Sequence, residues 1–93
     1  MKKENDVFDA FASCLTEQCK RAGLPKYKLS VMLDRRKSYV SEITGGRRQR
    51  YMRTLPLWMV KSMAAILDDR GADGALLLRH AYTYISQRDK EAA

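Results

Sequence analysis

The residues best equipped for chemistry in this chain are its lysines and arginines, and they are unevenly placed. Between Lys20 and Arg53 stand eleven of them, opposed only by Asp34 and Glu42, a local net charge of +9. The remaining residues carry seven basic and nine acidic side chains, a net of −2, and the two parts sum to the chain's +7. Charge needed only for solubility is usually spread, whereas a surplus confined to a third of the sequence is the footprint of a polyanionic partner. Other chemistries find little support. His80 is the only histidine, and no serine or cysteine is placed beside it by a motif, so a nucleophilic triad is not indicated. Gly45-Gly46 runs into Arg47-Arg48 without the spacing of a nucleotide phosphate loop. Cys14 and Cys19 lie five apart on one expected helix, hence on different faces, a poor spacing for a disulfide. With only His80 as a further soft ligand they are also poor for zinc. These residues predict a binding protein and not an enzyme, with no metal, no cofactor and no evident small-molecule ligand.

Ninety-three residues, 45% of them apolar, suit one domain spanning 1–93 with a modest core. No apolar run approaches the roughly 18–20 residues that cross a bilayer, so no membrane is expected. The start, MKKENDVFDAF, lacks a continuous apolar stretch and a small-residue cleavage site, which predicts a cytoplasmic protein.

Five helices and no strand are expected to position the basic segment, an all-α domain. Phe8, Phe11, Ala12, Leu15, Cys19 and Ala22 recur at helical spacing and predict a first helix over 6–22, with Asn5 or Asp6 as cap and Gly23 as stop. Glu17, Gln18, Lys20 and Arg21 fall mainly off that stripe. Pro25 opens a second helix over 26–33 with Leu29, Met32 and Leu33 inward. Asp34-Arg35-Arg36 is a turn, and a third helix over 37–44 points Val40 and Ile43 inward until Gly45-Gly46 ends it. Arg47 to Arg53 is too polar for a core element and is expected as a basic loop with Tyr51 and Met52 tucked down. Leu57, Val60, Met63, Ala64 and Leu67 form the inner stripe of a helix over 56–68. Asp73 can cap a last helix over 75–87, and the polar residues after it are expected to be loose. The apolar set of that last helix is wider than one buried stripe requires, which suggests a second partner. Leu77, Leu78, Ala81, Tyr84 and Ile85 are therefore candidates for a dimer interface.

With those elements in place, AGLPKYKLSVMLDRRKSYVSEITGGRR resembles the helix-turn-helix of the Cro and lambda-repressor superfamily of DNA-binding regulators. The likeness rests on Gly23-Leu24, Leu29, Leu33, Val40, Ser41, Ile43 and Gly46, and extends over roughly residues 8–68. Its size and architecture are similar to those of small phage or prophage regulators. The chain departs from the pattern at Ser30 (usually alanine), at Asp34 (the turn glycine), at Arg35 (usually apolar) and at Lys26 (often glutamine). The resemblance implies that the outward side of the third helix faces base edges in a major groove. Lys37, Ser38 and Glu42 match base-reading positions, and Tyr39 could stack on a sugar or meet a thymine methyl. Glu42 could instead pair with Lys37 or a nearby arginine, and Tyr39 could pack on the helix surface. Lys26, Lys28, Arg36, Ser41, Arg47, Arg48, Arg50 and Arg53 flank that helix and are candidates for backbone phosphates. The implied function is sequence-specific binding of double-stranded DNA by a transcription regulator, a repressor acting as a homodimer on an inverted repeat. The alternative is a protein-interaction module, such as an antitoxin or anti-regulator, on the same scaffold.

Overall fold

Three helix ends in this chain are closed by the same local device. The structure, a computed structural model, describes residues 4–45 and 49–92. Within them lie α1 (Glu4–Ala22), α2 (Lys26–Met32), α3 (Tyr39–Thr44), α4 (Gln49–Met52), α5 (Leu57–Asp69) and α6 (Gly74–Ala92). After α1, Gly23 turns left-handed at φ 62°, its N–H bonds to the Lys20 carbonyl, and the Leu24 N–H bonds to that of Cys19. This is the Schellman stop, which satisfies carbonyls the helix would otherwise leave open. The pattern recurs at Gly71 (φ 83°) after α5 and at Asp34 (φ 61°) after α2. Glycine takes that conformation freely; aspartate visits it more readily than most residues but at a cost.

The chain is all-α, as its periodicity predicts, with no strand among the described residues. Its Cα radius of gyration is 12.4 Å, close to the roughly 12 Å that a close-packed chain of this length adopts. The central element is α6, which α5 reaches through a short turn and which runs antiparallel to α1. Near one end of that pair Gln18 Oε1 accepts the Asp73 N–H at 2.8 Å, and toward the other Phe8 meets Tyr84 edge-on at 4.9 Å. Gln18, which falls off the apolar stripe of α1 in sequence, is thus buried because it answers an N–H at the start of α6. Asp73 caps α6 as expected, its carboxylate accepting the Leu76 N–H at 2.9 Å.

This packing corrects the expected dimer surface. Leu77, Ala81 and Tyr84 are 0%, 1% and 0% exposed, so three of its five residues belong to the domain's own core. The wide apolar girth of the last helix is explained by two partners in the same chain, α1 and α5. Leu78 and Ile85 are only partly buried. The residues after 87, expected to be loose, continue α6 to Ala92. Arg88 helps hold them, donating from Nη1 to the Leu55 carbonyl at 2.9 Å with its guanidinium 5.7 Å from the Tyr84 ring centre. Among the described residues no helix is long and apolar enough to cross a membrane.

Candidate nucleic-acid interface

The pair α2–α3 is too short to be stable by itself, and two side chains join it. Ser30, fully buried, donates from Oγ to the Lys26 carbonyl at 2.8 Å and accepts the Val40 N–H at 2.9 Å. Val40 is the second residue of α3, so its N–H is one of those a helix start leaves without an internal partner. Ser38 occupies the capping position of α3 but makes no side-chain cap bond. Ser30 supplies the cap from the neighbouring helix. Lys26 ties the opposite ends together, its Nζ donating to Thr44 Oγ1 at 2.9 Å while that hydroxyl donates to the Val40 carbonyl. Lys26, expected at a phosphate, is partly buried in this link.

The turn accommodates Arg35 without burying its charge. Its N–H closes the Schellman stop on the Ser30 carbonyl, and its exposed guanidinium lies 5.4 Å from the centre of the Tyr39 ring. Tyr39, under that guanidinium, faces inward. It is 7% exposed and packs edge-on against Tyr51 at 5.4 Å, which corrects the expectation that it faces a nucleic acid. Burial pushes its phenol pKa up, with the Arg35 charge opposing. The physical reason for its inward place is that its ring is enclosed by the Tyr51 ring and the Arg35 guanidinium. Helix α3 begins only at Tyr39, two residues later than its spacing suggests, and Lys37 and Ser38 lie in the turn and are exposed. Ser41 is also exposed, while Val40 and Ile43 are buried as expected.

Glu42 gathers the charged side chains around it. Its carboxylate pairs with Arg36 through both oxygens at 3.1 Å, accepts the Ser38 hydroxyl at 2.7 Å and lies 3.8 Å from Arg50 Nη1. Such a fork-on-fork pair fixes the direction of the guanidinium as well as its place. Only 11% of the Glu42 side chain is exposed, so the arginine-paired alternative describes its place better than an open base-reading position. Arg36 also donates to the Tyr51 hydroxyl at 3.2 Å. That bond, followed by the Glu42 charge, pushes the Arg36 pKa up.

Gln49–Met52, expected as loop, forms the single turn α4 because Met52 is buried and draws the segment onto the core. This holds half-buried Tyr51 against Arg36 and Tyr39 while Arg50 and Arg53 remain exposed, as is Lys28 on α2. Arg47 and Arg48, expected at phosphates, lie outside the described residues. Sequence reasoning missed Ser30 and Tyr51 as organisers; the departure from alanine at Ser30 was the available signal for the first. Cys14 and Cys19 are free and buried, and burial pushes both thiol pKa values up. No group of three or more His, Cys, Asp or Glu residues suited to a metal occurs among the described residues. No protein-family model, curated protein or solved structure matches the chain.

Proposed function

We propose that this protein is a sequence-specific regulator that binds double-stranded DNA as a homodimer through α2, the turn and α3. The observation that carries this reading is the charge exposed on α2, the turn and α4, and in the residue that follows α4. Lys28, Arg35, Arg36, Lys37, Arg50 and Arg53 are all exposed there, and Glu42 is mostly enclosed among the arginines. Lys37, Ser38 and Ser41 stand exposed along the turn and α3. Lys37 and Ser38 take the base-reading role, Lys37 as a donor to guanine. Glu42 reads a base only if Arg36 releases it; in its paired state it aims Arg36 instead. Lys28, Arg36, Ser41, Arg50 and Arg53 serve the backbone, which sets affinity and register, and Lys26 joins them if it leaves Thr44.

One reading helix is too short for genomic specificity, and a two-fold pair would place half-sites about one turn, ~34 Å, apart. Of the last helix, the part available for pairing is its outer edge, where Leu78 and Ile85 are partly buried and Tyr82 is 49% exposed at helical spacing between them. Titration of a fluorescent duplex at several salt concentrations tests the reading. About six phosphate contacts predict a log–log slope near −5; a flat response would remove the proposal. The protein-interaction alternative draws on exposed Trp58 and Tyr82 and predicts capture of a partner protein that survives nuclease treatment.

A further inference from the structure

Between the α2–α3 turn and α4 lies a cleft of about 430 Å³ lined by Asp34, Arg35, Arg36, Tyr39, Arg50 and Tyr51. We propose that this cleft is a seat for a single phosphoryl group, whether the end of a free polyphosphate or a phosphate of a nucleic-acid strand. It goes beyond sequence reading of a duplex, since it needs no base edge and no second protein copy.

Three observations support it. First, among the described residues three guanidiniums line the space, those of Arg35, Arg36 and Arg50, against the carboxylates of Asp34 in its wall and Glu42 at its border. Second, those guanidiniums differ in how far they are already engaged. Arg36 is held by Glu42 and Tyr51, Arg50 approaches Glu42 only at 3.8 Å, and Arg35 forms no ion pair among the described residues, its guanidinium lying instead over the Tyr39 ring. Arg35 and Arg50 can therefore turn their N–H groups to a phosphoryl oxygen without breaking a close ion pair, and guanidinium forks suit such oxygens. Third, the Tyr51 oxygen already accepts from Arg36 at 3.2 Å. Its own O–H is left to donate, adding a neutral donor to the wall. Glu42 is the built-in competitor, a carboxylate that holds Arg36 in the fork geometry a phosphoryl group would take.

The test follows the arginine Nε–H resonances of the full chain by NMR while inorganic pyrophosphate, a single-stranded oligonucleotide or a duplex is added. The expected result is saturable movement of Arg35, Arg36 and Arg50 ahead of the other arginines. Arg35→Ala weakens the interaction about tenfold, the loss expected of a charge-assisted hydrogen bond. Glu42→Gln strengthens it about fivefold by removing one opposing charge. An unchanged spectrum elsewhere confirms that each variant is folded. Saturation by pyrophosphate that displaces the oligonucleotide identifies a free phosphoryl ligand, and movement only with strands identifies the nucleic-acid backbone. Equal drift of all arginines with every probe, or an Arg35→Ala variant that binds as tightly as the parent, overturns the proposal. The slope of duplex binding with salt is measured separately, so a protein that fails to bind duplex can still bind pyrophosphate here.

Discussion

Replacing Ser30 by alanine separates what family likeness suggests from what the geometry requires. Alanine is the residue expected at this position if the chain follows the helix-turn-helix pattern proposed for it, and it is also the better helix former, by about 0.5 kcal/mol. On those grounds Ser30→Ala should be neutral or slightly stabilising. The hydrogen bonds say otherwise. Ser30 Oγ accepts the Val40 N–H at 2.9 Å, and both residues are fully buried, so no water can replace the hydroxyl without opening the joint. A buried donor left without a partner costs about 1–3 kcal/mol, and loss of a helix cap falls in the same range. Setting the propensity gain against about 2 kcal/mol leaves a net loss near 1.5 kcal/mol. For a domain of this size that lowers Tm by roughly 6–12 °C. The assay is urea and thermal unfolding followed by circular dichroism, with Ser41→Ala, an exposed serine on α3, as control. An unchanged urea slope is expected, with only the midpoint moving. If Ser30→Ala and Ser41→Ala unfold alike, the cap supplied across the two helices contributes nothing and the joint is held by packing alone.

Asp34 at φ 61° should gain from Asp34→Gly by about 0.5 kcal/mol, the strain relieved less the extra freedom of the unfolded glycine. Asp34→Asn, which keeps a tolerant side chain and removes the charge, controls for electrostatics in the same urea titration; a lower midpoint for the glycine variant would contradict the strain. On α6, Tyr84→Glu places a charge in the core and should abolish folding, whereas Tyr82→Glu should leave the fold intact and weaken the proposed self-association. Sedimentation showing that Tyr82→Glu pairs as the parent does would move the interface elsewhere. Alkaline pH should destabilise the domain. Cys14, Cys19 and Tyr39 all have folded-state pKa values raised by burial from ordinary values of 9.0 and 10.0. The folded chain therefore keeps protons that the unfolded chain has released. Their contribution is complete below pH 9 and is lost as pH rises through the raised values. Tyr39→Phe should flatten the later part of that decline in urea midpoints; a midpoint that stays level to pH 11 would refute the burial of these groups.

Much of the scaffold was legible because each signal has a local cause. The spacing of Phe8, Phe11, Leu15 and Cys19 needs only one buried stripe, Gly23 needs only its own backbone freedom, and Asp73 needs only the N–H three residues on. The misreadings came where a distant partner decides the outcome. Tyr39 is buried by the Tyr51 ring and the Arg35 guanidinium, contacts between elements that the spacing of one helix does not show. Met32, expected inward, is 47% exposed because α2 ends there after seven residues and Leu29 and Leu33 carry its packing. The turn at Gln49–Met52 exists because Met52 reaches the core, which a polar local sequence conceals. The type and spacing of Glu42 fit either a base or an arginine, and the fork of Arg36 favours the arginine. The burial of Leu77, Ala81 and Tyr84 within the domain is not legible in one helix, because nothing in its sequence reveals that two neighbours in the same chain cover it.

Whether α2, the turn and α3 choose a DNA sequence, as proposed, is decided by selecting bound duplexes from a random pool with the full chain. Such selectivity predicts an enriched inverted repeat whose half-sites are centred about 10 base pairs apart. It also predicts that Lys37→Ala changes the enriched half-site while Arg50→Ala leaves it the same and lowers the yield. A pool that stays random through successive rounds, or a consensus indifferent to Lys37, would contradict it.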